Sequence, residues 1–567
     1  TSIYDPVAEA SRYLKSFNIR ESLNFIVMGF GLGYQVKEIL KNASGMAKIY
    51  IFEKDWELFT LAIQEVNLTE IFEHPGTKLF VNIDPCNIKI LMEPERINFT
   101  LIDYTLIAQK ALLDRNVDYY GKLSNEIDNF FKECQINLKT QSIHSKLYYK
   151  NIFSNINNLI NSPGITSLKN CLPDSPTIIC AAGPSLDKNI KLIKAARKNF
   201  FLIAVATALK PLLQNGIQPD VVFSIDPDDL TINSFDFLNN SCKSWLVYNP
   251  AVPKAIADEF PDSRLAFDSQ VYLAEWFIRQ TGIKGDLGKI TSVAHSAVQF
   301  AQYLGCSPII LVGQDLSFFK QRLHCNQSFY FNEMMDKVTR LELLSYWNNF
   351  KYLNFGQNLV EREDLFGCKI KSTLAMDSYN YIFSQNLGNT TTIINATEGG
   401  MPIAGIKNFT LREVLYQYCR SPIDNLRKKI SGAVIIKSDS FISLKNSVSA
   451  QIRILEEVSE ILEGIEKKYL NSINSNVKIK QPFVAEMGNL YNNISENKET
   501  ALLLQGYNFS GFTDWYQTNS EILRKKTLYQ NYHSLEEEFE RDVKFFEVLV
   551  ESVNYLKVNF EKSIASL

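Results

Sequence analysis

The sequence predicts a mixed α/β protein: an N-terminal Rossmann-like sheet, a central doubly wound α/β domain and a C-terminal helical bundle. Three observations predict it. Short β-rich apolar runs alternate with helical stretches up to about residue 415. Several of these runs lead straight into small or polar loops that open a helix. Beyond about residue 416 the strand signals stop, and apolar residues step by three and four. The expected division is 1–145, 146–415 and 416–567.

In the first region, Asn24-Phe25-Ile26-Val27-Met28 runs into Gly29-Phe30-Gly31-Leu32-Gly33 and then a helical pattern of Val36, Ile39 and Leu40. That is a strand, a glycine turn and a helix. A second run, Lys48-Ile49-Tyr50-Ile51-Phe52, ends in Glu53, where a Rossmann-like unit would place an acid against a ribose. The glycine loop lacks the full dinucleotide spacing, so it is a weak signal. The sequence begins at Thr1 inside a polar helix-forming segment (Asp5, Pro6, Ala8, Glu9, Ala10), and a preceding piece is expected.

The central strands are read at Thr177–Cys180, Phe200–Val205, Val221–Ile225 and Pro308–Val312. A polar helical connector precedes them, marked by Lys146, Tyr148, Asn151, Asn155 and Asn158. In the last region two series each supply one apolar face: Val448, Ile452, Leu455, Val458, Leu462, Ile465, and Leu535, Phe539, Val543, Phe546, Val550, Val553. Ser534 followed by Glu537 is a capping-box pattern. These helices carry no concentration of chemical residues and read as packing and partner recognition.

Composition narrows the class. Of 567 residues, 46% are hydrophobic and 21% charged, a globular composition. Lys plus Arg (59) nearly cancels Asp plus Glu (62), leaving −3, so no global field draws the chain to nucleic acid. Any anion site must be local. Nine cysteines without a CxxC pair read as reduced, mostly buried thiols. No apolar run is long enough to span a bilayer, and a cytoplasmic location is expected.

Five segments carry chemistry. Cys180-Ala181-Ala182-Gly183-Pro184-Ser185-Leu186-Asp187 joins a strand to a helix, where backbone N–H groups and the helix dipole can meet a phosphate. Ser185 can cap that helix or bond the phosphate, although an ordinary tight turn reads the same way. Thr207, in Val205-Ala206-Thr207-Ala208-Leu209, sits at a second such junction, and a parallel sheet brings it to the same edge. Asp226 and Asp228 follow a third strand as ligands for a hydroxyl or for a divalent cation such as Mg2+, or as an acidic turn closed by Pro227. Gln314 and Asp315 follow a fourth strand after Gly313 and suit sugar hydroxyls or a base edge. Upstream, Ser292-Val293-Ala294-His295-Ser296 opens a helix whose N-terminus can face the same pocket. Downstream, His324, one of five histidines, lies in a polar loop and has the basicity to take a hydroxyl proton. Last, Ile393-Ile394 feeds Asn395-Ala396-Thr397-Glu398-Gly399-Gly400, a ligand loop or a plain hairpin turn.

Taken in order and spacing, Tyr4-Asp5-Pro6, the Gly29–Gly33 loop, Ala182-Gly183-Pro184-Ser185-Leu186, Ser224-Ile225-Asp226-Pro227, Val312-Gly313-Gln314-Asp315-Leu316 and Asn395–Gly400 resemble the motility accessory factor family of flagellin glycosyltransferases. The likeness covers nearly the whole chain. It implies a central domain similar to bacterial sialyltransferases, with the Gly-Pro-Ser-Leu loop on the nucleotide. It also implies a CMP-linked pseudaminic or legionaminic acid as donor, flagellin Ser/Thr as acceptor, and a role in flagellar assembly and motility. Ala182 departs from related loops, which often carry glycine there. The expected catalytic residues are His324, Asp315 and Glu398. The expected nucleotide-sugar residues are Ala182, Gly183, Pro184, Ser185, Leu186, Thr207, Asp226, Gln314, Asn395 and Thr397, with Lys188 or Lys210 meeting the donor's charge. Transfer would be inverting, through an oxocarbenium-like transition state. Two alternatives stay open. The central domain also resembles archaeal hydroxymethylpterin pyrophosphokinases, which would use Asp226 and Asp228 with magnesium on ATP, and the chain can also be read as a non-catalytic flagellin-binding protein.

Overall fold

The computed structural model describes residues 5–238, 242–319, 322–343, 346, 359–385, 391–423, 430–432, 441–469, 479–529 and 532–566. The chain forms two compact units, one of residues 1–145 with 454–556, the other of 146–453 with 557–567. The first unit holds a four-stranded parallel sheet of β1 (Asn24–Met28), β2 (Lys48–Glu53), β3 (Thr77–Val81) and β4 (Thr105–Ala108), in the order β3-β2-β1-β4. Its C-terminal helices bury the faces expected of them, for example Leu455, Val458, Leu462 and Ile465 on the helix Phe441–Tyr469. The capping box expected at Ser534 does not form. The Ser534 hydroxyl meets Glu538 Oε1 at 3.1 Å, while Glu537 is taken by Lys525 Nζ at 2.9 Å and by the Tyr532 hydroxyl.

The second unit is built on an eight-stranded sheet in which every paired strand runs parallel. Its strands are β5 (Thr177–Cys180), β6 (Phe201–Val205), β7 (Val221–Ser224), β8 (Trp245–Tyr248), β9 (Arg264–Ala266) and β10 (Ile309–Val312). After the antiparallel hairpin of β11 (Leu359–Glu363) and β12 (Lys369–Thr373) come β13 (Ile393–Asn395) and β14 (Lys407–Asn408). The order is β14-β13-β10-β5-β6-β7-β8-β9. β5, β6, β7 and β10 are buried along their whole length, which is why they read as unbroken apolar runs. From β5 the chain winds outward through β6 to β9, then returns to β10 on the other side of β5. That reversal opens a crevice at the carboxyl ends of β5 and β10.

The polar connector docks through its asparagines. Asn151 and Asn155 lie one helical turn apart, so their amides reach the same side. Asn151 Nδ2 donates to the carbonyls of Pro227 (2.9 Å) and Ala251 (2.8 Å), and Asn155 Nδ2 to those of Pro250 (3.1 Å) and Val252 (2.6 Å). These bonds fix the loops after β7 and β8, whose buried carbonyls would otherwise lack donors. All nine cysteines are free thiols. Among the described residues no helix is long and apolar enough to cross a membrane.

Candidate functional site

Because the sheet is parallel, five sequence segments arrive at one edge: the loops after β13, β10, β5, β6 and β7, in that order across it. At the centre, the crevice between β10 and β5, Ser185 and Asp315 meet. The Ser185 hydroxyl donates to Asp315 Oδ2 at 2.7 Å and the Ser185 amide does so at 3.3 Å. Asp315 is 2% exposed, and its Oδ1 has no hydrogen-bond partner. Burial pushes its carboxyl up to about 6, against the opposing pull of the Ser185 hydroxyl and amide and of Lys188.

Glycines make room for this carboxylate. A Cβ on Gly183 would lie 1.9 Å from Asp315 Oδ2 and 2.4 Å from the Gly313 carbonyl. One on Gly400, where φ is +71°, would lie 2.1 Å from the Asp315 carbonyl oxygen. Main-chain bonds lock the same loops together: Gly183 N–H to Gly313 O (2.9 Å), Cys325 N–H to Ala182 O (2.8 Å) and Met401 N–H to Asp315 O (2.9 Å). Lys188 Nζ donates to the Glu398 carbonyl at 2.7 Å and lies 5.2 Å from the centre of the Phe319 ring.

Several expected site residues turn out to be committed elsewhere. The Ser185 side chain makes no capping bond to the helix Leu186–Ala195, since its hydroxyl goes to Asp315. The Glu398 carboxylate accepts from the Leu411 amide at 2.8 Å, at the start of the helix Leu411–Tyr418. Asn395 bridges β13 to Asn408 of β14 at 2.9 Å and accepts from the Thr397 amide, while the Thr397 hydroxyl accepts from the Gln314 amide at 3.2 Å. These bonds tie the loop after β13 to the segments beside it. Gln314 is 8% exposed. Thr207 is half-buried at the N-terminus of the helix Ala206–Gln214, which no side chain caps. Lys210 lies over the Phe237 ring.

Asp226 and Asp315 share the edge but not neighbouring strands, because β5 and β6 intervene. At about 4.8 Å per strand their backbones are separated by roughly 14 Å. Asp226 Oδ1 accepts from the Asp228 amide at 3.0 Å, and Asp228 Oδ1 from the Leu230 amide at 2.9 Å, where it caps the turn Asp229–Ser234. Three tyrosines gather round Asp226 that the sequence did not single out for chemistry. Burial first, and then the Asp226 charge, raises the pKa of Tyr148, Tyr330 and Tyr379. His324 stacks on Tyr330 with centroids 4.7 Å apart, which associates it with this group. His295 is buried, meets Thr291 Oγ1 at 2.9 Å, and is pushed down to about 4 by burial. Among the described residues no group of three or more His, Cys, Asp or Glu side chains is placed to hold a metal ion.

The glycine loop of the first unit is filled from within. Glu53, 1% exposed, accepts the amides of Phe30 (2.8 Å) and Gly31 (3.1 Å) on Oε2, and the Asp55 amide (2.8 Å) and Tyr120 hydroxyl (3.4 Å) on Oε1. The acid expected to face a ribose is spent on the loop.

Comparison with known proteins matches these regions separately. Residues 5–109 match the glycosyltransferase Maf N-terminal domain, and residues 150–321 match the family described as 6-hydroxymethylpterin diphosphokinase MptE-like. An uncharacterized protein of Treponema pallidum (strain Nichols) is 22% identical over 201 residues, 35% of this chain and 67% of that protein. The solved structure of MAf glycosyltransferase from Magnetospirillum magneticum AMB-1 shares the fold, with a TM-score of 0.55 and 16% identity, covering 99% of this chain and 86% of that one. The resemblance to the Maf family of glycosyltransferases is thus carried by a match to its N-terminal domain, followed in the same polypeptide by an MptE-like match.

Proposed function

We propose that the chain transfers a nonulosonic acid of the pseudaminic or legionaminic type from a CMP donor to serine or threonine of flagellin, in the cytoplasm. The observation that carries this reading is the crevice at the carboxyl ends of β5 and β10, where the Gly183–Leu186 loop opens a ten-residue helix. Such a junction suits a phosphate that must leave as an anion: loop amides and the helix N-terminus meet the developing charge, and Lys188 adds a cation. The phosphate is a good leaving group, so orienting the partners is the larger task. The group of Asp226, His324 and three tyrosines, about three strands away, is the place for the acceptor hydroxyl and its proton. A base there contributes about 10²–10⁴-fold.

The match of residues 150–321 to a pterin diphosphokinase family favours a second reading, in which Asp226 would hold magnesium on ATP. Thermal shift with CMP and with ATP plus magnesium separates the two. Stabilisation by CMP without magnesium supports transfer, and stabilisation by ATP that EDTA abolishes supports the kinase. Mass spectrometry of flagellin from cells with and without the protein then tests the acceptor: unchanged flagellin masses would refute it.

A further inference from the structure

The donors that a phosphate would use at the crevice already face a carboxylate of the protein. Both the amide and the hydroxyl of Ser185, at the N-terminus of the helix Leu186–Ala195, point at Asp315 Oδ2. The other oxygen, Oδ1, is buried without a partner and lies where a Cβ on Gly399 would come within 3.2 Å. Among the described residues no cation is bonded to it. On the helix, Asp187 is paired with Arg322 of the 322–326 segment at 3.2 Å, and Lys188 is engaged with the Glu398 carbonyl. On the third side, the Glu398 carboxylate is held by the Leu411 amide. Cys325, packed alongside, stays a thiol, because burial, Asp187 and Asp315 all raise its pKa.

An ionised carboxylate in this position opposes any second anion brought to the same helix N-terminus, and low polarity magnifies the conflict. A proton on the carboxylate removes it. We propose that Asp315 is a positioning residue whose protonation is linked to donor-phosphate binding: the crevice takes up one proton from solvent, onto Asp315, as the phosphate of a nucleotide enters. The carboxyl is poised for this, since burial already holds it near 6. In the resting protein the ionised form keeps the Ser185 loop closed, and the neutral form leaves the helix N-terminus to the ligand. This inference rests on the nucleotide reading of the crevice.

The test measures CMP affinity by titration calorimetry from pH 5.5 to 8, in two buffers of different ionisation heat, for the wild type, Asp315→Asn and Ser185→Ala. The titration of CMP itself is common to all three. The ratio of wild-type to Asp315→Asn affinity should fall about tenfold per pH unit above the carboxyl's titration. The wild type should take up close to one proton more than Asp315→Asn at pH 7.5. Ser185→Ala removes a donor that favours the ionised form, so its break should move to higher pH, which a merely structural role would not produce. CMP binding with a flat ratio and equal proton uptake overturns the linkage alone. No CMP binding by any of the three proteins, at any pH, overturns the nucleotide reading and this inference together.

Discussion

The loop after β1 and the loop after β5 are built alike. Each follows a buried parallel strand, carries glycines, opens a helix, and receives a carboxylate from elsewhere in its own unit. They differ in how completely that carboxylate is satisfied. Glu53 accepts four donors, two on each oxygen, and the loop around it is a closed structural unit. Asp315 accepts only through Oδ2, and Oδ1 is left without a partner beside Gly399. A glycine loop at a strand end therefore does not by itself mark a ligand site. A buried carboxylate left half-bonded costs about 1–3 kcal/mol, which a fold tolerates where function needs it.

The sharpest way to break the comparison is to crowd each loop. Gly183→Val places a Cβ into Asp315 and into the Gly313 backbone, which cannot give way without moving the crevice. Transfer should fall by about 10²-fold or more, and CMP binding with it. Gly31→Ala meets the mobile end of Gln109 and takes a positive φ of 57°, so it should cost about 1–2 kcal/mol of stability and leave CMP affinity unchanged. Equal loss of CMP binding in both variants would mean that the first loop also binds the donor.

The two carboxylates should then respond to substitution in opposite ways. Burial raises the folded-state pKa of Asp315 from its ordinary 3.8 to about 6. The stability tied to its proton is therefore fully present below about pH 4 and lost as the pH rises through 6. Asp315→Asn does not titrate, so it should match the wild type near pH 4 and exceed it at pH 7.5 by up to about 3 kcal/mol. Denaturant melts at the two pH values would show this, and a less stable Asp315→Asn at pH 7.5 would contradict it. Glu53→Gln leaves buried amides facing an amide group, so it should lose about 1.5–3 kcal/mol with CMP affinity unchanged.

What the sequence made legible follows from burial. β5, β6, β7 and β10 are covered on both faces and so read as apolar runs, whereas β3 and β4 are only partly buried and β14 is two exposed residues, so none of them stands out. The loops could be placed on one edge because parallel strands share an edge. Their order across it could not be read, so nothing in the sequence shows that β5 and β6 separate Asp226 from Asp315. Ser185 and Asp315 are 130 positions apart, and Asp315 is buried partly by Gly399 and Gly400, so no local pattern shows their bond. The same holds for residues 454–556, which belong with residues 1–145: an apolar helix face announces that it will be covered, not by what. Asn151, Asn155 and Asn158 did carry a signal, because their spacing puts three amides on one helical face, the pattern of a buried polar face rather than a solvated linker.

The smallest expected effect is at Glu398, and it decides whether the loop after β13 takes part in chemistry or only shapes the crevice. The carboxylate bonds the first amide of the helix Leu411–Tyr418, beside a complete capping box of Thr410 and Glu413, and its own backbone is held at a positive φ of 57°. A carboxylate at a helix start is worth about 0.3–1 kcal/mol. Glu398→Gln keeps an acceptor oxygen for the Leu411 amide and removes only the charge. Its melting temperature should drop by a degree or two and transfer should stay within about twofold, because Lys188 bonds the Glu398 carbonyl rather than its carboxylate. A catalytic acid or base would behave differently, since its loss costs about 10²–10⁴-fold in rate at unchanged stability. Rate and melting temperature measured on the same preparation separate the two. A large loss of rate would return Glu398 to the catalytic group and make the loop after β13 a third wall of the reaction site.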